Sequence, residues 1–138
     1  MKRLPTLAIS QAELRRLVAL CERAAPEEAC GLLGGVERAG RTALTVYPVE
    51  NLLHSRTGFR ISRRQVETTE RAMRARGERL CGCYHSHPTA GPRPSARDKR
   101  HATRPDFWWL IYSPRARSLR AFFWDGRSFH QAPLRLTR

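Results

Sequence analysis

The sequence predicts an α/β (α+β) fold in which a mixed β-sheet is flanked by helices. Helix-forming stretches with capping residues alternate with short β-prone runs. Their order is helix, hairpin, helix, strand, helix and strands, as expected for packed layers of the two element types. With 138 residues, 41% of them hydrophobic, the chain is long enough to bury a core. We therefore expect one domain covering residues 1–138.

The first helix is predicted from about Gln11 to Ala24. Ser10 and Glu13 have the spacing of a capping box, and apolar residues then recur at helical spacing. Pro26 ends the helix.

A hairpin is predicted next. The segment 27–35 changes from acidic to apolar and glycine-rich, which is typical of a strand entered from a turn. Gly40 marks a second turn, and the apolar residues of 44–49 indicate the returning strand.

The second helix is predicted to begin after Ser62, because Ser62 and Gln65 form a second capping-box pattern. Gly77 ends it. Just before this helix, Phe59-Arg60-Ile61 is compatible with a short strand.

A strand from Leu80 to His85 follows, and its two-residue period places Cys81, Cys83, His85 and His87 on one face. Fully extended, these four residues would span about 20 Å, so they do not form a four-ligand structural zinc site. Two neighbouring histidines at about 6 to 7 Å can still share one ion.

The remainder of the chain is predicted as a proline-rich linker, a short helix and a set of strands. The prolines of 88–94 exclude helix and inner strand, and Ser95 opens a helix to about Arg104. The turn signal Asp125-Gly126 joins the last two strands. The predicted strands cover 107–112, 119–124 and 128–134.

The composition limits the location and the partners. No run approaches the eighteen or so apolar residues of a membrane span, so a cytoplasmic protein without membrane contact is expected. The four cysteines are expected as reduced core thiols. The net charge of +14 comes almost entirely from scattered arginines. Without a binding motif, this charge does not favour dedicated nucleic-acid binding, and it reflects either an acidic partner or genomic composition.

Two histidines and an aspartate are candidate metal ligands. His85 and His87 could converge on one ion, and Asp98 is the nearest carboxylate for a third ligand. Asp98 also has capping-box spacing from Ser95, and both roles are compatible. His101 is interpreted as a neighbouring or surface residue. The two isolated histidines, His54 and His130, are interpreted as ordinary surface or packing residues.

Three protein ligands leave a fourth zinc position open, which is typical of a catalytic rather than a structural site. Such a site needs a carboxylate to take the proton of the water that zinc activates. Glu28 precedes an apolar strand and suits this role better than the other candidate acids, but its spacing alone does not select it. Those other candidates are Glu27, Glu50 and Glu67.

Together these elements resemble the JAMM motif of the MPN-domain metalloproteases, and the chain is most similar to their compact prokaryotic single-domain members. The resemblance covers residues 26–108. Its elements are Glu28-x-Cys30-Gly31-Leu32-Leu33-x-Gly35, His85-x-His87-Pro88 and Ser95-x-x-Asp98.

The resemblance implies a zinc metallopeptidase of cytidine-deaminase-like architecture. One Zn²⁺ per chain would be bound by His85, His87 and Asp98. Glu28 would act as general base and then as acid, and Ser95 would donate a hydrogen bond to the oxyanion. The implied substrate is an amide or isopeptide bond at the Gly-Gly tail of a ubiquitin-like sulfur-carrier protein, which would also be the partner.

Three alternatives stay open from the sequence. MPN folds also serve as non-catalytic scaffolds or binding modules. The histidine-to-aspartate stretch resembles that of the RadC-type branch, which would imply a DNA-associated protein. The basic charge is compatible with a nucleic-acid partner. The sequence does not set the oligomeric state.

Overall fold

The computed structural model describes Leu4 and residues 6–138, which contain three helices and eight strands. The helices are α1 (Gln11–Ala24), α2 (Arg63–Ala75) and α3 (Ala96–His101). The strands are β1 (Leu7–Ser10), β2 (Cys30–Arg38), β3 (Arg41–Val49), β4 (Arg79–Ser86), β5 (Phe107–Ser113), β6 (Ser118–Trp124), β7 (Phe129–Ala132) and β8 (Leu134–Thr137).

All eight strands form one mixed sheet in the order β7-β6-β5-β4-β2-β3-β1-β8. β4 lies inside the sheet, antiparallel to β2 and parallel to β5. The core is divided between two faces: Leu17 and Cys21 of α1 pack into one cluster, and Met73 of α2 packs into the other. The predicted fold class, a mixed sheet flanked by helices, is confirmed. No helix in the described part of the chain is long and apolar enough to cross a membrane.

The helix predictions hold where local capping determines the start. α1 has the predicted bounds and α2 begins with the full capping box of Ser62 and Gln65. At α1 only half of the box forms, because the Glu13 carboxylate instead accepts a hydrogen bond from the backbone N–H of Val46 at 2.8 Å. α3 ends at His101, three residues earlier than predicted.

The strand predictions needed three corrections. β1 was not predicted, although it pairs with β3 and β8. The short strand at 59–61 is wrong, because the N–H and C=O of Arg60 bond within the loop, to the Asn51 side chain and the Leu52 N–H. The predicted strand 128–134 is two strands, and β8 crosses to the far edge of the sheet beside β1.

The prediction that Cys81 and Cys83 share a face is also wrong. The register between β2 and β4 shifts at Leu33/Gly34, leaving Cys81 without a partner in the ladder. This irregularity reverses the alternation, so Cys81 packs in the α1-side core and Cys83 in the α2-side core. All four cysteines are buried free thiols, as expected.

Candidate metal centre

Three side chains that could hold a metal ion converge at the carboxyl end of β4. His85 Nε2 lies 3.0 Å from His87 Nε2, and Asp98 Oδ2 lies 3.1 Å from each nitrogen. All three residues are buried, with no more than 5% of their surface exposed. Two ligands of a tetrahedral zinc ion at about 2.05 Å are separated by about 3.3 Å. The cluster therefore has nearly the spacing that a shared zinc ion requires.

Backbone contacts on both sides of β4 fix the histidines. Between them, the Ser86 N–H donates to the Ala29 carbonyl at 3.1 Å, and the Ser86 hydroxyl accepts from the Ala29 N–H at 2.8 Å. The His87 N–H donates to the Tyr112 carbonyl of β5 at 2.8 Å. The two imidazoles thus extend from a backbone that is held by β5 on one side and by the start of β2 on the other.

The first turn of α3 holds Asp98. The Ser95 hydroxyl accepts from the Asp98 N–H at 3.0 Å, and Asp98 Oδ2 accepts from the Ser95 N–H at 2.9 Å. This is a complete capping box. The same Oδ2 faces both histidines, so the cap also positions the carboxylate within the cluster.

The electrostatics of the cluster favour a bound cation. Burial lowers the pKa of His85, which keeps it a neutral ligand, although the hydrogen-bonded Asp98 opposes the shift. Burial also acts to lower the pKa of His87, but the hydrogen bonds to the Asp98 carboxylate and the Gly91 carbonyl have the larger effect. The pKa of His87 is therefore raised. Burial would raise the pKa of Asp98, yet hydrogen bonds from both histidines and from the Ser95 N–H hold it well below its usual range. Asp98 is therefore a buried carboxylate.

The chemistry of the donor set fits zinc. Imidazole nitrogens and a carboxylate oxygen are common zinc ligands. His87 Nδ1–H donates to the Gly91 carbonyl at 2.9 Å, so the neutral, metal-binding form of His87 would carry its lone pair on Nε2, toward the cluster. The Phe59 ring stacks on His85 with centroids 4.6 Å apart and restricts its rotation.

Glu28 is a buried carboxyl group, and the residue after it, Ala29, bonds to Ser86 between the two histidines. Glu28 is 5% exposed, and its Oε1 has no hydrogen-bond partner among the described protein groups. Burial raises the pKa of Glu28 to about 8, against the opposing effect of the charge on His87. Because the charges of His87 and Asp98 both act on this pKa, the carboxyl group is within electrostatic reach of the cluster.

The other candidate acids and histidines lie elsewhere. Glu27 and Glu50 both pair with the exposed His54, at 3.5 and 3.3 Å. Glu67 pairs with Arg63 on the surface of α2. In the last strands, His130 bonds to Asp125. His101 is exposed and lines a cleft beside Asp98.

Asn51 and Phe59 support the site, although neither is a candidate site residue from the sequence. Asn51 is buried, and its Nδ2 donates to the carbonyls of Glu28 at 3.0 Å and Gly58 at 3.1 Å. Its Oδ1 accepts from the Leu53 and Arg60 N–H groups at 3.0 and 3.2 Å. Asn51 thus ties the Glu28 backbone to the loop that carries Phe59. An asparagine directly after a strand was the only available sequence signal, and it does not indicate such a role.

A cleft of about 300 Å³ lies beside the cluster between α2, α3 and the sheet. Asp98 contributes to its wall, together with the aromatic side chains of Phe59, Phe107 and Trp109. Arg97 and Arg104 of the α3 region line the same cleft. The candidate metal centre therefore adjoins a cleft that is lined by both aromatic and cationic side chains.

Residues 10–125 match the family described as prokaryotic homologs of the JAB domain. The match covers most of the chain, so the chain belongs to this family. The predicted membership of the compact prokaryotic branch is confirmed.

Individual relatives extend this assignment. The chain is 35% identical over 107 residues to a desampylase of Haloferax volcanii, covering 77% of this chain and 76% of the relative. It is 34% identical over 99 residues to a CysO-cysteine peptidase of Mycobacterium tuberculosis, covering 72% and 67%. A Desulfitobacterium hafniense protein solved in solution has a similar structure, with a TM-score of 0.87, 31% identity and coverage of 96% and 94%.

Proposed function

We propose that this protein is a zinc-dependent isopeptidase or peptidase that hydrolyses an amide bond at the Gly-Gly C-terminus of a ubiquitin-like sulfur-carrier protein. The observation that carries this proposal is the buried cluster of His85, His87 and Asp98 together with the buried Glu28, which lies within electrostatic reach of His87 and Asp98. Membership of the JAB family supports it. So does similarity to two proteins whose names describe them as a desampylase and a CysO-cysteine peptidase.

The protein's own groups account for the proton transfers of an amide hydrolysis. Zinc held by His85, His87 and Asp98 would supply Lewis acidity that lowers the pKa of water and polarises the carbonyl. Glu28 accepts the proton of the attacking water and later donates it to the leaving amine. A buried carboxyl group with a raised pKa suits both steps, because it can hold the proton between them.

Ser95 can serve as a helix cap and as an oxyanion donor at the same time. Its oxygen accepts the Asp98 N–H through a lone pair, and this bond leaves the hydroxyl hydrogen free. That hydrogen can be donated to the oxygen on which charge develops during attack. The capping box fixes the hydroxyl beside Asp98 before the substrate arrives.

The cleft beside Asp98 suits a narrow, extended tail. Its aromatic lining offers contact to a main chain, and glycines allow close approach because they lack side chains. An amide at the end of a Gly-Gly tail could thus reach the metal centre, where a bulkier sequence would be obstructed.

The test uses a Gly-Gly-terminated ubiquitin-like sulfur carrier that carries one additional amide-linked amino acid. Mass spectrometry should show release of that amino acid by the zinc-loaded protein. Glu28→Gln should retain zinc and lose turnover. Glu27→Gln is the matched control, since it removes an acid at the neighbouring, half-exposed position and should remain active. Full activity of Glu28→Gln would remove Glu28 from the mechanism.

Metal analysis separates the enzyme from a non-catalytic scaffold. We expect about one zinc ion per chain in protein purified without added metal, and a strong decrease in His87→Ala. A stable protein without metal, with no hydrolysis after zinc addition, would favour the scaffold.

A further inference from the structure

A second groove, lined by Lys99 of α3 and by residues of the β6–β7 hairpin, carries a concentrated positive charge. We name it the cationic trench, and its volume is about 710 Å³. Residues of the β6–β7 hairpin form its floor, and Arg93, Pro94 and Lys99 form its wall. Its principal lining residues are Arg93, Lys99, Phe122, Trp124, Arg127 and Phe129.

The charge of the trench is not neutralised within the described chain. Arg93, Lys99 and Arg127 are exposed, and among residues 6–138 none of them forms an ion pair. No carboxylate lines the trench. Three cations that share one groove raise the local concentration of an anionic ligand.

The position of the trench relates it to the metal centre. Arg93 precedes Ser95 by two residues, and Lys99 directly follows Asp98. The wall of the trench is therefore the same segment that holds the metal-ligating carboxylate. A ligand bound in the trench would therefore lie close to an amide bond that is hydrolysed at the candidate metal centre.

The aromatic residues of the trench favour a polypeptide over a nucleic acid. Phe122 and Trp124 are only 6% and 7% exposed, and the half-buried Phe129 packs against both rings, so little ring face is available for stacking with bases. The floor is an apolar surface beneath cations, which suits an extended acidic chain better than an unstacked base.

We propose that the cationic trench binds an acidic stretch of the substrate protein and so contributes to substrate choice. This proposal rests on the proposed function for the identity of the ligand as substrate, but its binding chemistry does not require hydrolysis. The sequence leaves open whether the +14 charge serves an acidic partner or reflects genomic composition. This proposal assigns part of that charge to a partner.

The test measures binding of a fluorescein-labelled octaglutamate peptide to the zinc-loaded protein by fluorescence anisotropy. The triple variant Arg93→Ala, Lys99→Ala and Arg127→Ala should weaken binding about tenfold or more, as expected for three exposed charge contacts. The matched control removes three exposed arginines from α1 and α2, at Arg15, Arg23 and Arg64, and lowers the net charge by the same amount. The control should weaken binding by no more than about twofold. Thermal unfolding checks that both variants are folded.

The outcomes separate the alternatives. Equal weakening by both triple variants would overturn the proposal, because only total charge would then matter. No binding at low salt would also overturn it. Tighter binding of an oligothymidine of eight nucleotides, lost in the same trench variant, would assign the surface to single-stranded nucleic acid instead. None of these measurements uses turnover, so failure of the proposed hydrolysis remains a separate result.

Discussion

In metal-free protein, replacement of Glu28 by glutamine should increase stability, and the gain should grow with pH. Burial raises the pKa of the folded-state carboxyl group from 4.5 to about 8. The folded state therefore holds this proton more tightly than the unfolded state does. The stability contributed by protonated Glu28 is complete below about pH 4.5 and is lost as the pH rises to about 8.

The magnitude follows from the two pKa values. A shift from 4.5 to about 8 corresponds to about 5 kcal/mol at about 1.4 kcal/mol per pH unit. Between about pH 5 and about pH 8.5, roughly 4 kcal/mol of this is lost by the parent protein. Glutamine cannot ionise, so Glu28→Gln avoids the loss. The difference in unfolding free energy between variant and parent should therefore widen by about 4 kcal/mol over this range.

Urea unfolding followed by tryptophan fluorescence, with a chelator present, measures this difference at both pH values. Glu27→Gln is the control, because it removes a carboxylate from the neighbouring position, which is nearly half exposed. A pH-independent difference for Glu28→Gln would refute the assignment of Glu28 as a buried carboxyl group with a raised pKa. Zinc should reduce this pH dependence, because a nearby divalent cation favours the ionised carboxylate.

Three further predictions concern the supporting residues. Ser95→Ala should lose about 0.5 to 2 kcal/mol with the helix cap and should also slow hydrolysis. Ser95→Asp should keep the cap but not the turnover, and equal turnover of Ser95→Asp and the parent would contradict the oxyanion role. Asn51→Ala should destabilise by about 3 kcal/mol in urea unfolding, because it leaves buried backbone groups of Glu28 and the Phe59 loop unpaired. The four buried cysteines, whose pKa values are all raised by burial, should react with a disulfide reagent only after unfolding. Rapid labelling of folded protein would contradict their burial.

The helices could be predicted because their signals are local. A serine before each helix accepts a hydrogen bond from the third helical residue, so the cap can be identified from four residues of sequence. The strands β1 and β8, at one side of the sheet, could not be predicted. β1 has four residues, and the ladder it forms is with β3 and β8, which lie far away in sequence. Neither its length nor its composition indicates those partners.

The same distinction between local signals and distant contacts applies to the residues of the candidate site. His85, His87 and Asp98 are suggested by residue type and spacing, whereas Asn51 and Phe59 act through contacts made by an irregular loop. The loop was predicted in part as a strand because Phe59-Arg60-Ile61 is β-prone. In the structure, the Asn51 side chain replaces a neighbouring strand as the hydrogen-bond partner for Arg60.

The position of Glu28 depends on strand register, which explains why its spacing alone did not select it. Cys30, the first residue of β2, pairs with His85 of β4. The Ser86–Ala29 hydrogen bonds continue this pairing one residue before the start of β2. An antiparallel continuation then brings Glu28 alongside His87, across nearly sixty residues of sequence. Gly31 belongs to the same arrangement, since a Cβ at this position would overlap the Tyr84 ring. A larger residue there would separate the two strands and move Glu28, the proposed proton acceptor, away from the candidate metal ligands.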